Sequence, residues 1–207
     1  MPHYDQDKGT ARQDLCRFLA ACYYQPGPEF AEEKVFDSMR DAATRIHPDL
    51  AEHARRLGEA FSAEGPESLL VEYTRLFLGP SKAIASPYGS VWLSGENTLM
   101  QDSTMAILEL YHEGGFEVSD DFRELPDHIA AELEFLYLLI YRENQAHRAS
   151  EPQSPASVAG LRMRFLNEHL GSWIAPFTAA VKAGARSDYY RELAELTDRF
   201  VKLEMGR

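Results

Sequence analysis

Apolar residues recur along most of the chain at the three- and four-residue spacing that places side chains on one face of an α-helix. The pattern is clear near both ends, in the sets Leu15, Phe18, Leu19, Cys22 and Tyr23, and Tyr189, Leu193, Leu196, Phe200 and Leu203. No convincing alternation of apolar and polar residues, which would indicate a strand, occurs along the sequence. The sequence therefore predicts an all-α protein of eight or nine helices with no sheet.

Proline, glycine and capping residues divide this pattern into separate helices. Thr10 followed by Gln13 is a capping-box pattern and predicts that the first helix begins there. Residues 26–28 and 79–80 combine proline and glycine and predict helix ends. Residues 81–93 contain one proline, one glycine and three serines, and this composition predicts a loop.

The longest and most apolar predicted helix begins near Asp127 and ends near His147. Its apolar residues cover one face and then most of the remaining surface: Ile129, Leu133, Phe135, Leu136, Leu138, Leu139 and Ile140. A helix that is apolar nearly all round is expected in the middle of a fold. Residues 148–157, with two prolines and three serines, predict a flexible linker. We expect a single helical domain over residues 1–207.

The charge of the chain narrows the range of partners. Subtracting 33 acidic residues from 21 basic residues gives a net charge of −12. Such a protein repels phosphate backbones and anionic lipids and attracts cationic ligands, so we expect no nucleic-acid partner. The first residues lack the order of a signal peptide, and the most apolar run, residues 133–141, is much shorter than the roughly 20 residues that span a bilayer. We expect a cytoplasmic protein with no membrane insertion.

Motifs for catalysis are incomplete. Residues 79–82 lack the order of a phosphate-binding loop, and residues 88–92 do not match a serine nucleophile elbow. Glu109 and His112 form the E-x-x-H pattern of di-iron bundles, but the second copy that such a site requires does not occur. We therefore expect a protein that is not an enzyme, with no catalytic residue, bound metal or cofactor.

Three stretches together resemble the redox-enzyme maturation chaperones of the TorD/DmsD/NarJ kind. They are residues 72–80 (EYTRLFLGP), 86–93 (SPYGSVWL) and 125–136 (LPDHIAAELEFL), and residues 165–170 with Trp173 and Phe177 are similar to the family's last helices. Each stretch alone is weak, but their order and spacing over most of the chain make the resemblance specific. The resemblance implies an all-α fold, in agreement with the periodicity.

The resemblance also implies a function. Members of the family hold the cofactor-free catalytic subunit of a molybdoenzyme and bind its twin-arginine leader peptide, which delays export until the cofactor is loaded. The client stays open among nitrate, dimethyl sulfoxide, trimethylamine oxide and selenate reductases and related enzymes. Matching the family's peptide site by motif implies the residues Tyr88, Gly89, Ser90, Trp92, Asp127 and His128. Tyr88 stands where many relatives carry tryptophan, which bears on client preference.

The residues at this implied site suit a cationic and apolar peptide. Carboxylates bind guanidinium groups, and aromatic rings line a groove or stack on a guanidinium. Asp127 is the expected arginine partner, with Glu132 or Glu72 as additional carboxylates, and Tyr88 and Trp92 are the expected groove residues. The alternatives are that Asp127 only caps the long helix and that the rings only anchor the loop in the core.

Two other functions remain open on the sequence. One is a helical metalloenzyme that uses Glu109, His112, His128 and Glu132; the other is a helical adaptor that binds a folded protein. We expect a monomer, with a domain-swapped oligomer through residues 148–157 as the alternative.

Overall fold

The structure is a computed structural model and describes residues 5–79, 82–93, 102–119, 124–148 and 155–206. These residues form eleven α-helices, and apart from one isolated bridge they contain no strand. The helices are α1 (Gln6–Cys22), α2 (Glu29–Glu32), α3 (Val35–Ile46), α4 (Pro48–Glu64), α5 (Pro66–Tyr73), α6 (Gly89–Leu93), α7 (Asp102–Glu113), α8 (Ile129–Arg148), α9 (Pro155–Glu168), α10 (Leu170–Gly184) and α11 (Asp188–Glu204). The prediction of an all-α fold is confirmed. Nine helices have eight residues or more, and the short α2 and α6 account for the count above eight or nine.

Helix α8 lies in the middle of the fold, as its wide apolar surface predicts. Leu133, Phe135, Leu136 and Leu139 are all fully buried. α1 and α9 pack against α8, and the Cys16 thiol of α1 donates a hydrogen bond to the Leu133 carbonyl oxygen over 3.2 Å. Burial of each large apolar side chain contributes about 1.5–3 kcal/mol, so α8 holds the two flanking helices together.

A second layer of helices extends the core on the other side of α1. α4 packs between α3 and α11, and α10 packs against α11. Phe36, Phe61 and Tyr189 bring one ring from each of α3, α4 and α11 together, with centroids 4.7 to 6.0 Å apart. This layer positions α10, which carries Trp173 and Phe177 toward the site described below.

A π-helical turn, Thr74–Leu78, follows α5 directly. It ends at Gly79, whose amide donates to the Thr74 carbonyl oxygen over 2.7 Å and whose φ is 62°. A Cβ at this position would lie 2.3 Å from the Lys82 carbonyl oxygen, so both the conformation and the space require glycine. The predicted helix end at residue 79 is therefore confirmed; residue 80 lies outside the described residues.

Two predicted boundaries are wrong. α1 begins at Gln6 because Asp5 Oδ1 accepts hydrogen bonds from the amides of Asp7 and Lys8, both over 3.1 Å, and Thr10 lies inside the helix. The predicted loop at 81–93 contains α6, which begins at Gly89. The predicted linker at 148–157 falls largely on residues 149–154, which lie outside the described residues, and stays a prediction. Within the described ranges, no helix is both long and apolar enough to cross a bilayer.

Candidate functional site

The segment before α6 and the segment before α8 lie side by side. The Gly89 amide donates to the Asp127 carbonyl oxygen and the Ile129 amide donates to the Pro87 carbonyl oxygen, both over 2.8 Å. These bonds enclose an isolated antiparallel bridge between Tyr88 and His128. The structure thus brings together the two stretches that the sequence analysis singled out. We call this arrangement the α6–α8 junction.

The Asp127 side chain caps α6 rather than α8. Its Oδ2 accepts a hydrogen bond from the Ser90 amide over 2.8 Å, and Asp127 is only 2 % exposed. Asp127 Oδ1 is also buried and has no hydrogen-bond partner among the described residues. At the start of α8, His128 Nδ1 accepts from the Ala130 amide over 3.2 Å, and the Pro87 carbonyl accepts from the first helical amide. The alternative that Asp127 caps the long helix is therefore wrong.

The imidazole of His128 lies between two tyrosine rings. Its centroid is 6.4 Å from that of Tyr24, with the rings nearly parallel, and 5.3 Å from that of Tyr88, in an edge-to-face arrangement. Burial lowers the pKa of His128 to about 4, although the nearby Glu124 and Asp127 carboxylates act in the opposite direction. The ring is therefore neutral at physiological pH, which agrees with Nδ1 acting as an acceptor.

Tyr24 and Tyr88 are both half-buried, and the phenol hydroxyl of each donates a hydrogen bond to a glutamate carboxylate. The Tyr24 hydroxyl donates to Glu134 Oε1 over 2.8 Å, and the Tyr88 hydroxyl donates to Glu124 Oε2. Burial raises the pKa of each phenol, and the hydrogen-bonded carboxylate raises it further. Sequence reasoning missed Tyr24, Glu124 and Glu134. Glu124 directly precedes the stretch 125–136, whereas nothing around Tyr24 marks it.

Glu132 lies beneath the junction and faces Trp173 of α10. The Trp173 indole N–H lies 3.3 and 3.2 Å from the two carboxyl oxygens and donates to them, and Glu132 is fully buried. Burial raises the pKa of Glu132 well above its ordinary value; the indole hydrogen bond lowers it, and the charge of Asp127 raises it. A Cβ on Gly89 would lie 2.9 Å from Trp173 Nε1 and 3.1 Å from Glu132 Oε1, so close packing requires glycine there.

Trp92 and Glu72, two other residues of the predicted site, make their main contacts outside the pairing of Tyr88 with His128. The Trp92 indole N–H donates to the Ser86 carbonyl oxygen over 2.9 Å and the ring packs edge-on against Phe177, so this side chain anchors the loop in the core while part of it stays exposed. The Glu72 carboxylate pairs with Arg75 over 2.6 Å and 2.8 Å. It also accepts a hydrogen bond from the backbone amide of Arg186, two residues before α11. Among the described residues, no hydrogen bond or ring contact joins Glu72 to the α6–α8 junction.

The metal-site residues of the rival hypothesis are not arranged around one point. Glu109 and His112 are exposed on α7. His128, directly before α8, and Glu132, in its first turn, are both buried. Within the described ranges, no group of three or more His, Cys, Asp and Glu side chains is placed to hold a metal ion. The hypothesis of a helical metalloenzyme therefore has no site in this part of the chain.

Comparison with known proteins adds an independent line of information. The sequence model of the family described as nitrate reductase delta subunit matches residues 42–179. A Tat proofreading chaperone, DmsD, from Salmonella typhimurium is 28% identical over 177 residues, which cover 86% of this chain and 80% of the relative. A chaperone protein, TorD, from Vibrio parahaemolyticus is 30% identical over 138 residues, which cover 66% of this chain and 62% of the relative. These relatives are named chaperones and not enzymes, which confirms the predicted family and the prediction of a non-enzymatic protein.

A solved structure supports the fold alone. A protein from Archaeoglobus fulgidus, described as a redox enzyme maturation protein, superposes with a TM-score of 0.57 at 20% sequence identity. The match covers 92% of this chain and 93% of the other.

Proposed function

The chain belongs to the nitrate reductase delta subunit family, and from this premise we propose that it is a cytoplasmic chaperone for a molybdenum-containing oxidoreductase. It holds the cofactor-free catalytic subunit, binds the twin-arginine leader peptide of that subunit and delays export until the cofactor is loaded. The names of the relatives, one of them a Tat proofreading chaperone, support this role. The protein acts as a monomer and brings no cofactor of its own.

The α6–α8 junction is the observation that carries the proposal. It presents partly exposed tyrosine rings next to carboxylates on a protein of net charge −12, and this combination suits a peptide that has both arginines and an apolar stretch. The proposed peptide site comprises Tyr88, Gly89, Ser90, Trp92, Asp127, His128 and Glu132, with Glu72, which is paired with Arg75, as a carboxylate outside the junction.

The contacts divide these residues by task. Gly89, Ser90, Asp127 and Glu132 are buried and give the junction its shape. Tyr88 and Trp92 are half-buried, so their rings are available to contact an apolar side chain. An exposed ion pair contributes at most about 1 kcal/mol, so the aromatic surface supplies most of the affinity.

Titration with a leader peptide tests the proposal. The wild-type protein is titrated by calorimetry with the twin-arginine leader of a molybdoenzyme encoded nearby and with a scrambled leader of the same composition. We expect saturable binding of the native leader only, weaker binding at high salt, and weaker binding after Asp127→Ala because the junction loosens. Failure of every such leader to bind would contradict the proposal.

A helical adaptor for a folded partner is the second candidate. Three apolar side chains of α5 and the π-helical turn are exposed, Leu70, Val71 and Leu78, and a folded partner can bind such side chains. This candidate predicts indifference to the leader's arginines. A leader in which both arginines are replaced by alanine separates the two functions, because only leader recognition requires the guanidinium groups.

A further inference from the structure

Tyr24, His128 and Tyr88 form a row of three rings with a glutamate at the phenol of each tyrosine. We call this row the ring shelf. Glu134 accepts from Tyr24 over 2.8 Å and Glu124 accepts from Tyr88. Burial has the largest effect on the raised pKa of the Tyr24 phenol, and both glutamates raise it further, so both charges lie near this ring. The hydrogen bonds thus hold two carboxylates beside one partly exposed aromatic surface.

The two glutamates keep acceptor capacity that the described residues leave unused. Glu124 Oε1 and Glu134 Oε2 accept no hydrogen bond, and no arginine or lysine pairs with either carboxylate, within the described ranges. The carboxylates expected from the sequence to bind arginine are occupied instead: Asp127 caps α6, Glu132 is fully buried and Glu72 is paired with an arginine one turn away.

A buried acceptor adjoins the floor of the ring shelf. Asp127 Oδ1 has no partner among the described residues, although Asp127 is only 2 % exposed and precedes His128 directly. A buried carboxylate oxygen without a hydrogen bond is costly, by about 1–3 kcal/mol or more. Because this oxygen is buried, it is not a direct partner for a guanidinium group, but it places negative charge near the His128 ring.

We propose that the ring shelf is the subsite for the arginine pair of the leader peptide, with one guanidinium bound by Glu124 and the other by Glu134. The inference rests on the proposed function and names its charged subsite. A guanidinium is flat, so it stacks on a tyrosine ring while its edge donates to a carboxylate. The neutral His128 forms the floor without repelling the cation.

Four leader peptides that differ only at the arginine pair test this assignment. They carry Arg-Arg, Gln-Arg, Arg-Gln or Gln-Gln and are titrated into the wild type, Glu124→Gln and Glu134→Gln. We expect each Glu→Gln variant to bind the Arg-Arg leader roughly three- to fivefold more weakly, because one partly exposed ion pair is lost. Its affinity for the Gln-Gln leader stays that of the wild type.

The single-glutamine leaders identify the pairing. If Glu124 binds one of the two arginines, Glu124→Gln becomes insensitive to replacement of that arginine and stays sensitive to replacement of the other. Glu134→Gln shows the opposite preference. Tyr24→Leu removes one aromatic ring of the ring shelf, whereas Tyr24→Phe keeps it. We expect the leucine variant to bind the Arg-Arg leader more weakly than the phenylalanine variant does.

Asp41→Asn is the matched control for charge. Asp41 is exposed on α3, one turn before Arg45, which pairs with Asp7 at the start of α1; Tyr24 lies beyond the opposite end of α1. Thermal unfolding verifies that every variant is folded. If the wild type binds the Arg-Arg leader and both glutamate variants behave like Asp41→Asn, the subsite is refuted and the proposed function stands. If the wild type binds no leader, the proposed function fails first.

Discussion

Asp127 caps a helix that begins 38 residues earlier in the chain: its Oδ2 accepts the hydrogen bond of the Ser90 amide over 2.8 Å, while its own carbonyl accepts from Gly89. A capping carboxylate is normally a neighbour in sequence, one to three residues before the amide that it satisfies. Here the cap also joins two distant segments, so the shape of the proposed peptide site depends on this side chain as well as on the two backbone hydrogen bonds of the junction.

Removal of this cap should loosen the junction. Asp127→Ala removes the carboxylate that accepts the hydrogen bond of the buried Ser90 amide, and we expect the free energy of unfolding to fall by about 1–3 kcal/mol. Asp127→Asn keeps an oxygen acceptor and should lose less. Urea unfolding of the three proteins measures the difference. Equal loss for alanine and asparagine would show that the charge, and not the cap, matters.

Gly89→Ala should destabilise the fold through overpacking. The added Cβ would lie 2.9 Å from Trp173 Nε1 and 3.1 Å from Glu132 Oε1, where neighbours are buried and cannot move away. We expect a loss of about 1–3 kcal/mol in urea unfolding. Gly160→Ala in α9 is the control, because nothing lies within 4 Å of its Cβ position. That change should stabilise the protein by about 0.5–1 kcal/mol, and a loss as large as that of Gly89→Ala would contradict the packing argument.

His128 should make stability fall as the solution is acidified. Burial lowers its pKa in the folded protein to about 4 from an ordinary 6.5, against the opposing charges of Glu124 and Asp127. Between pH 6.5 and pH 4 the unfolded chain therefore binds a proton that the folded protein does not, and the free energy of unfolding falls as the pH is lowered through this window. In urea unfolding at several pH values, His128→Asn should reduce this slope. An unchanged slope would mean that His128 does not cause it.

Glu132 should make stability fall as the pH is raised, the opposite of the effect of His128. Burial raises its pKa well above the ordinary 4.5, so the folded protein keeps a proton that the unfolded chain releases above that pH. Stability is therefore lost as pH rises above about 4.5. Glu132→Gln keeps an oxygen for the Trp173 indole and removes this loss, so the variant should be at least as stable as the wild type at pH 8 and should show a smaller decrease between pH 5 and pH 8.

Truncation of the same side chain supplies the contrast. Glu132→Ala removes the acceptor of a buried indole N–H and leaves a cavity, and we expect a loss of about 2–4 kcal/mol at any pH. Chemical unfolding at pH 5 and at pH 8 distinguishes the two variants. A glutamine variant as unstable as the alanine variant would argue for an ionised Glu132.

The long helices were predictable because their signal is local. The apolar face of α8 and the 4-3-4-3 spacing of α11 follow from neighbours within two turns, and both helices were expected from the sequence. α6 was not expected, because its first turn depends on Asp127, far away in sequence. The start of α1 was placed too late because Thr10 imitates a cap that Asp5 supplies.

The candidate site was predictable in part. The resemblance of residues 86–93 and 125–136 to the chaperone family indicated Tyr88, Asp127 and His128, which the structure places together. The ring shelf needs Tyr24 as well, and no spacing rule connects that tyrosine to His128. The sequence also could not show that Glu72 and Glu132 are occupied by other groups, because Arg75 and Trp173 are brought to them only by folding.

The two backbone hydrogen bonds of the α6–α8 junction run in opposite directions, from Gly89 to Asp127 and from Ile129 to Pro87. Each helix thereby donates its first amide to the carbonyl oxygen of the residue that precedes the bridge residue of the other segment. Fraying of either helix start therefore removes a hydrogen bond from the segment that leads into the other. The two helix starts stabilise each other, although residues 94–128, which include α7, lie between the two helices in the sequence.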